Sequence, residues 1–106
     1  LEKLRPIAGD LPIVLTGDMN TTPDSQAYRK LAARLTDAWV SAPIRKGPER
    51  TFHDFTGVPD RRIDYIFMHG FTSLQAEVRT DHSGKIYGSD HFPVFAELRF
   101  GTTPPR

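Results

Sequence analysis

Ile13, Val14 and Leu15 form an unbroken apolar run that ends abruptly in Thr16-Gly17-Asp18-Met19-Asn20-Thr21-Thr22-Pro23-Asp24, a dense cluster of turn formers. A short apolar run closed off by breakers predicts a strand covered on both faces. Before it, Leu1, Leu4 and Ala8 carry the spacing of a helix's last turns over residues 1–8, and Gly9-Asp10, with Pro12 just beyond, stops that helix. After it, Asp24 or Ser25 stands where a cap is needed for a helix with apolar positions Ala27, Tyr28, Leu31, Ala32 and Leu35. Helix, buried strand, loop and helix in that order predict an α/β architecture.

The second half of the chain changes character. Residues 41–50 are polar, contain two prolines and read as a loop. Residues 51–53 (Thr-Phe-His) read as a short strand and residues 56–60 as a turn. Residues 62–68 alternate, with Ile63, Tyr65 and Phe67 on one face and Asp64, Ile66 and Met68 on the other. Residues 74–79 alternate again, 81–90 form a polar loop, and 92–100 make a final strand, so this half is mainly antiparallel β.

Charge narrows the function little. Fourteen Lys and Arg against thirteen Asp and Glu leave a net charge of +1, a balance within which a local basic groove is still possible. The absence of cysteine excludes disulfides and thiolate metal sites. No apolar run approaches the ~20 residues of a membrane-spanning helix. The first residues, LEKLRPIAGD, have neither an initiator Met nor a secretory core, so a start within a longer protein is expected. The closing GTTPPR, residues 101–106, is expected to be a disordered tail after a domain spanning residues 1–100.

Three polar clusters stand at strand ends or inside an apolar strand. In the first, Asp18 and Asn20 offer a carboxylate and an amide to a common point at the carboxyl end of a buried strand, where ligands bind in α/β folds; the alternative is a capped turn. In the second, Asp64 shares its face with Ile66 and Met68, where an ionised carboxylate needs a partner. That partner is either Arg61 or Arg62, giving a structural ion pair, or a histidine, whose ring the carboxylate would orient. In the third, Ser89-Asp90-His91 precedes the final strand and offers a metal-binding oxygen beside an imidazole; the alternative is a surface turn. Together they are the residue types of hard-metal phosphoester chemistry. His53 reads as a rim residue, His69 and His82 as solvated, Trp39 and Tyr65 as core, and Arg45-Lys46 and Arg61-Arg62 as solvated surface.

The ordered set LTGDMN, RRIDYIF and SDHFPV resembles the endonuclease/exonuclease/phosphatase family, which includes deoxyribonuclease I-like nucleases, inositol polyphosphate 5-phosphatases and bacterial sphingomyelinases. LTDAWV and the Thr-Phe-His segment resemble that family's connectors. The resemblance implies the C-terminal half of a four-layer α/β β-sandwich, with a mixed, mainly antiparallel sheet and flanking helices. It assigns Asp18 and Asn20 to the attacking water and the phosphate, Asp64 to orienting the catalytic histidine His91, and Asp90 to a Mg²⁺ or Mn²⁺ site. The substrate would be a phosphoester in a nucleic acid, a phosphorylated small molecule or a lipid head group. The family's other metal ligands, an Asn and a Glu, and a further His belong to its N-terminal half. That half, or a second chain, is expected to complete the sandwich, and this chain by itself is expected to be inactive. The competing expectation is a non-catalytic interaction or assembly module that keeps a relic of the site.

Overall fold

The computed structural model of the protein describes residues 11–82 and 88–101. The helix expected over residues 1–8 with its Gly9-Asp10 stop, residues 83–87 of the polar loop, and residues 102–106 of the tail lie outside the described residues. The elements run β1 (Ile13–Asp18), α1 (Gln26–Ala32), β2 (Thr36–Asp37), α2 (Ala38–Ser41), β3 (Ile44–Lys46), β4 (Asp64–His69), β5 (Phe71–Val78) and β6 (Val94–Phe100). They form two three-stranded sheets. One has the order β1-β4-β2 and is antiparallel throughout; the other has the order β3-β5-β6, with β3 parallel to β5 and β5 antiparallel to β6. Mixed, mainly antiparallel sheets with few helices are what the α/β reading anticipates.

Of the two cap candidates the chain uses Ser25, which sits in extended conformation and accepts the Tyr28 N–H on Oγ at 3.0 Å. The helix it opens lays Tyr28 and Leu31 on the first sheet, against Leu35, Tyr65 and Phe67, with Leu15 and Met19 at the edge of the same cluster. Asp37 caps α2 by accepting the Trp39 N–H at 3.0 Å. At the other end, the Arg45 guanidinium donates to the carbonyls of Trp39 and Val40 at 2.7 and 2.6 Å, meeting groups a helix end leaves over. This short helix buries Trp39, with Ala42 just beyond, against Ala76, Val78 and Phe92 of the second sheet and its approach. The Ser73 hydroxyl donates to the Ala38 carbonyl at 2.8 Å and anchors α2 over β5.

A single residue, Gly70, joins β4 of one sheet to β5 of the other. Its φ of 83° lies in the left-handed region, and a Cβ there would stand 3.2 Å from the Cα of Pro12. Turn, hand and space all call for glycine.

Several expectations are corrected. The Ile13-Val14-Leu15 strand is not covered on both faces: Ile13 is buried, but Val14, on the edge strand of its sheet, is 48% exposed although its ladder partner Met68 is buried. The 41–50 stretch is not all loop, since it contains β3, three exposed residues whose order comes from pairing with β5 and not from an apolar face. Residues 51–53 are not a regular strand; Phe52 makes isolated bridges to Arg61 and to His91. Tight turning occurs at residues 54–57, ahead of the span expected. Arg62 is not solvated surface but is buried in an ion pair with Asp37 at 2.7 Å. His53 is not at the rim either, being buried and stacked on Phe92 with ring centroids 4.2 Å apart.

Candidate active site

The antiparallel register of β1 and β4 sets Asp18 directly opposite Asp64 at the end of the ladder. Two carboxylates facing each other across a strand pair repel, so the arrangement calls for a cation or a hydrogen-bond donor between them. His91 enters that position from the loop before β6. Its Nδ1 lies 2.7 Å from Asp64 Oδ2, its Nε2 3.8 Å from Asp18 Oδ2 and 3.7 Å from Asp90 Oδ1. A carboxylate only accepts, so Nδ1 carries the proton toward Asp64 and Nε2 faces Asp18 and Asp90. This settles the alternatives left open for Asp64. Its partner is the histidine, while Arg62 is held by Asp37 and Arg61 lies over the Phe52 ring at 4.6 Å.

Local chemistry explains why each side chain is held. Asp18 Oδ1 accepts the Asn20 N–H at 2.8 Å, a tight turn that places Asn20 at a left-handed φ of 49°. The Ser89 hydroxyl accepts the His91 N–H at 3.1 Å and turns the chain into β6. The Phe52 ring meets the imidazole edge-on, with centroids 5.3 Å apart. Partial burial lowers the His91 pKa, but the hydrogen bond to Asp64 and the charges of Asp64, Asp90 and Asp18 outweigh it, so the ring titrates above the ordinary histidine value.

These groups open onto a cleft of about 450 Å³ between the β1–β4 ladder and the approach to β6, lined by Thr16, Asp18, Asp64, Ile66, His91 and Val94 among others. Donor atoms of Asp18, Asp64 and His91 all lie within 4.8 Å of one another, a spacing that fits a metal ion. Asp90 stands outside this tight group, on the Nε2 side of the ring. Because Asp64 Oδ2 is already engaged by Nδ1, the donors best placed for a hard cation are the oxygens of Asp18 and Asp90. Carboxylate oxygens are the donors that a hard divalent cation takes. Of the five residues singled out from sequence, the structure thus brings Asp18, Asp64, Asp90 and His91 around one point and places Asn20 two residues along the turn from Asp18.

A model of the endonuclease/exonuclease/phosphatase family matches residues 1–91. The chain belongs to that family. Comparison with curated protein sequences gives no significant match. Among solved structures of similar fold is a conserved protein of unknown function from Enterococcus faecalis V583, with TM-score 0.86 and 30% identity over 94% of this chain and 41% of that one. An endonuclease/exonuclease/phosphatase protein from Bacteroides vulgatus has TM-score 0.83 and 32% identity, over 93% of this chain and 40% of that one. A mannosyl-6-phosphatase from Bacteroides thetaiotaomicron VPI-5482 has TM-score 0.82 and 31% identity, over 93% and 42%. The chain therefore spans about two-fifths of the length of these relatives. Within this endonuclease/exonuclease/phosphatase chain, sequence reasoning missed Thr51, whose buried hydroxyl lies under the Asp64 backbone, and the Asp37–Arg62–Tyr28 network beneath it. Burial at Thr51 left no periodic signal; Asp37 next to the apolar Ala38-Trp39-Val40 did offer one, as a helix cap.

Proposed function

We propose that the intact protein hydrolyses a phosphoester with water as the nucleophile and a divalent cation, Mg²⁺ or Mn²⁺, in the site. The observation that carries this reading is the Asp64–His91 contact of 2.7 Å, with Nε2 turned toward two further carboxylates at the mouth of a cleft. Asp64 holds the imidazole in one tautomer and stabilises its protonated form, and His91 donates from Nε2 to an oxygen of the scissile phosphate. Asp18 orients the attacking water and accepts its proton, and the Asn20 amide donates to the charge developing on the phosphate. Asp90 helps hold the cation. When bound, the cation supplies Lewis-acid polarisation of a phosphate oxygen. The remaining ligands, and the cover for the open side of β1, come from the rest of the intact protein. The likeness to a mannosyl-6-phosphatase supports a phosphorylated small molecule as substrate ahead of a nucleic acid or a lipid head group.

The test is hydrolysis of p-nitrophenyl phosphate and of its bis-ester by the intact protein and by residues 1–106 alone, with and without Mg²⁺ or Mn²⁺. Metal-dependent turnover by the intact protein only, lowered by orders of magnitude in His91→Ala, is the expected outcome. Normal turnover in a folded His91→Ala variant would overturn the assignment.

A further inference from the structure

Asp64 and His91 belong to different sheets: Asp64 opens β4 of the first, and His91 leads into β6 of the second. Among the described residues no ladder joins β4 to β6, so strand pairing does not set the 2.7 Å between the two side chains. Something else must hold the two backbones at that separation. Thr51, 1% exposed, lies between them. Its Oγ1 accepts the N–H groups of Ile63 and Asp64 at 3.2 and 3.3 Å, and its carbonyl accepts the Phe92 N–H at 2.7 Å. The residues that follow extend the same strap. Phe52 bridges to both Arg61 and His91, and the His53 and Asp54 N–H groups both donate to the Asp90 carbonyl, at 2.9 and 3.2 Å.

We infer that Thr51 is a positioning residue for the Asp64–His91 pair: its hydroxyl fixes the backbone that presents the carboxylate, while its carbonyl fixes the backbone that presents the imidazole. The inference rests on the catalytic reading of that pair. Packing does not explain the residue type, because valine has the same shape and would fill the space as well. What threonine adds is an oxygen that two buried N–H groups need, and those N–H groups sit at the start of β4 where the carboxylate is mounted. Displacements well under the length of a bond are enough to misplace a proton donor against a reacting phosphate.

The experiment compares Thr51→Val, Thr51→Ser and His91→Ala in the intact protein, with p-nitrophenyl phosphate and Mg²⁺ or Mn²⁺. The assay is run at a temperature where circular dichroism reports each variant folded. Thr51→Val is expected to lose on the order of 10- to 100-fold in kcat with KM changed by no more than about twofold, and Thr51→Ser to recover most of kcat. Wild-type kcat in Thr51→Val, with His91→Ala inactive, overturns the inference and leaves the catalytic reading standing. Equal losses in the valine and serine variants also overturn it, since the effect then does not follow the hydroxyl that serine keeps and valine lacks. Wild-type kcat in His91→Ala overturns both. If Thr51→Val does not fold, the same comparison is read from Thr51→Ala, whose smaller side chain leaves room for water at the two N–H groups.

Discussion

Asp37 accepts three donors at once: the Trp39 N–H at 3.0 Å, the Tyr28 hydroxyl at 2.7 Å and the Arg62 guanidinium at 2.7 Å. It thereby caps α2, ties α1 to the first sheet and neutralises a buried arginine. Asp37→Ala is expected to destabilise the intact protein by about 3–5 kcal/mol, because it leaves the Arg62 charge buried and unpaired; urea denaturation measures it. Arg62 also lies over the Tyr65 ring at 4.7 Å, and the Tyr65 hydroxyl is placed to donate to the carbonyls of Thr21 and Arg62, at 2.7 and 2.8 Å. Burial raises the Tyr65 pKa well above its ordinary value, the Arg62 charge offsetting only part of the shift. The stability contributed is whole below the unfolded tyrosine value of about 10 and is lost as pH climbs from there toward the folded value. Tyr65→Phe should cost roughly 1–3 kcal/mol at neutral pH through the lost hydrogen bonds. It should also lose stability less steeply above pH 10, which denaturation at a series of pH values tests. At Asp64 the sequence narrowed the partner to an arginine or a histidine. It could not decide further, because Arg61 and Arg62 stand beside Asp64 in the chain while His91 arrives from 27 positions away, and that Arg62 is taken up by Asp37 is a long-range contact with no local signal.

Elements with a face to hide announce themselves. The alternation in β4, the helical spacing of Tyr28 and Leu31, and the stretch ending in β6 were legible because burial selects residues at a fixed period. β2 has two residues and β3 has three exposed ones, so neither has a period to read. β3 is held by its parallel ladder to β5 and is followed at once by Gly47, where φ is 83° and a Cβ would come 2.0 Å from the Val78 carbonyl oxygen. Gly47→Ala is expected to push the end of β3 off β5 and to cost about 1–3 kcal/mol, visible as a lower melting temperature. Substituting Gly88, where a Cβ meets nothing within 4 Å and φ lies outside the left-handed region, is the matched control and should be near neutral.

Two sheets with one helix each account for the two apolar clusters, yet Val14 and Phe95 remain about half exposed on the sheets themselves. In the proposed intact protein that surface is covered. Residues 1–106 alone should therefore bind a hydrophobic dye such as anilinonaphthalene sulfonate more strongly than the intact protein does at equal concentration. Equal dye binding would count against the covered face. The carboxylate–imidazole contact has a further consequence for how the molecule is made. Asp64 and His91 are 27 positions apart, and Asp18 reaches them only once β1 has paired with β4. Closing such loops comes at an entropic cost before any contact rewards it. Among the described residues no local hairpin or helix holds any two of these three groups together, so the site comes into being only with long-range contacts. A chain that has lost its tertiary order while keeping its strands no longer holds these groups together, so under the proposed function turnover by the intact protein is a more demanding measure of the native state than secondary structure is.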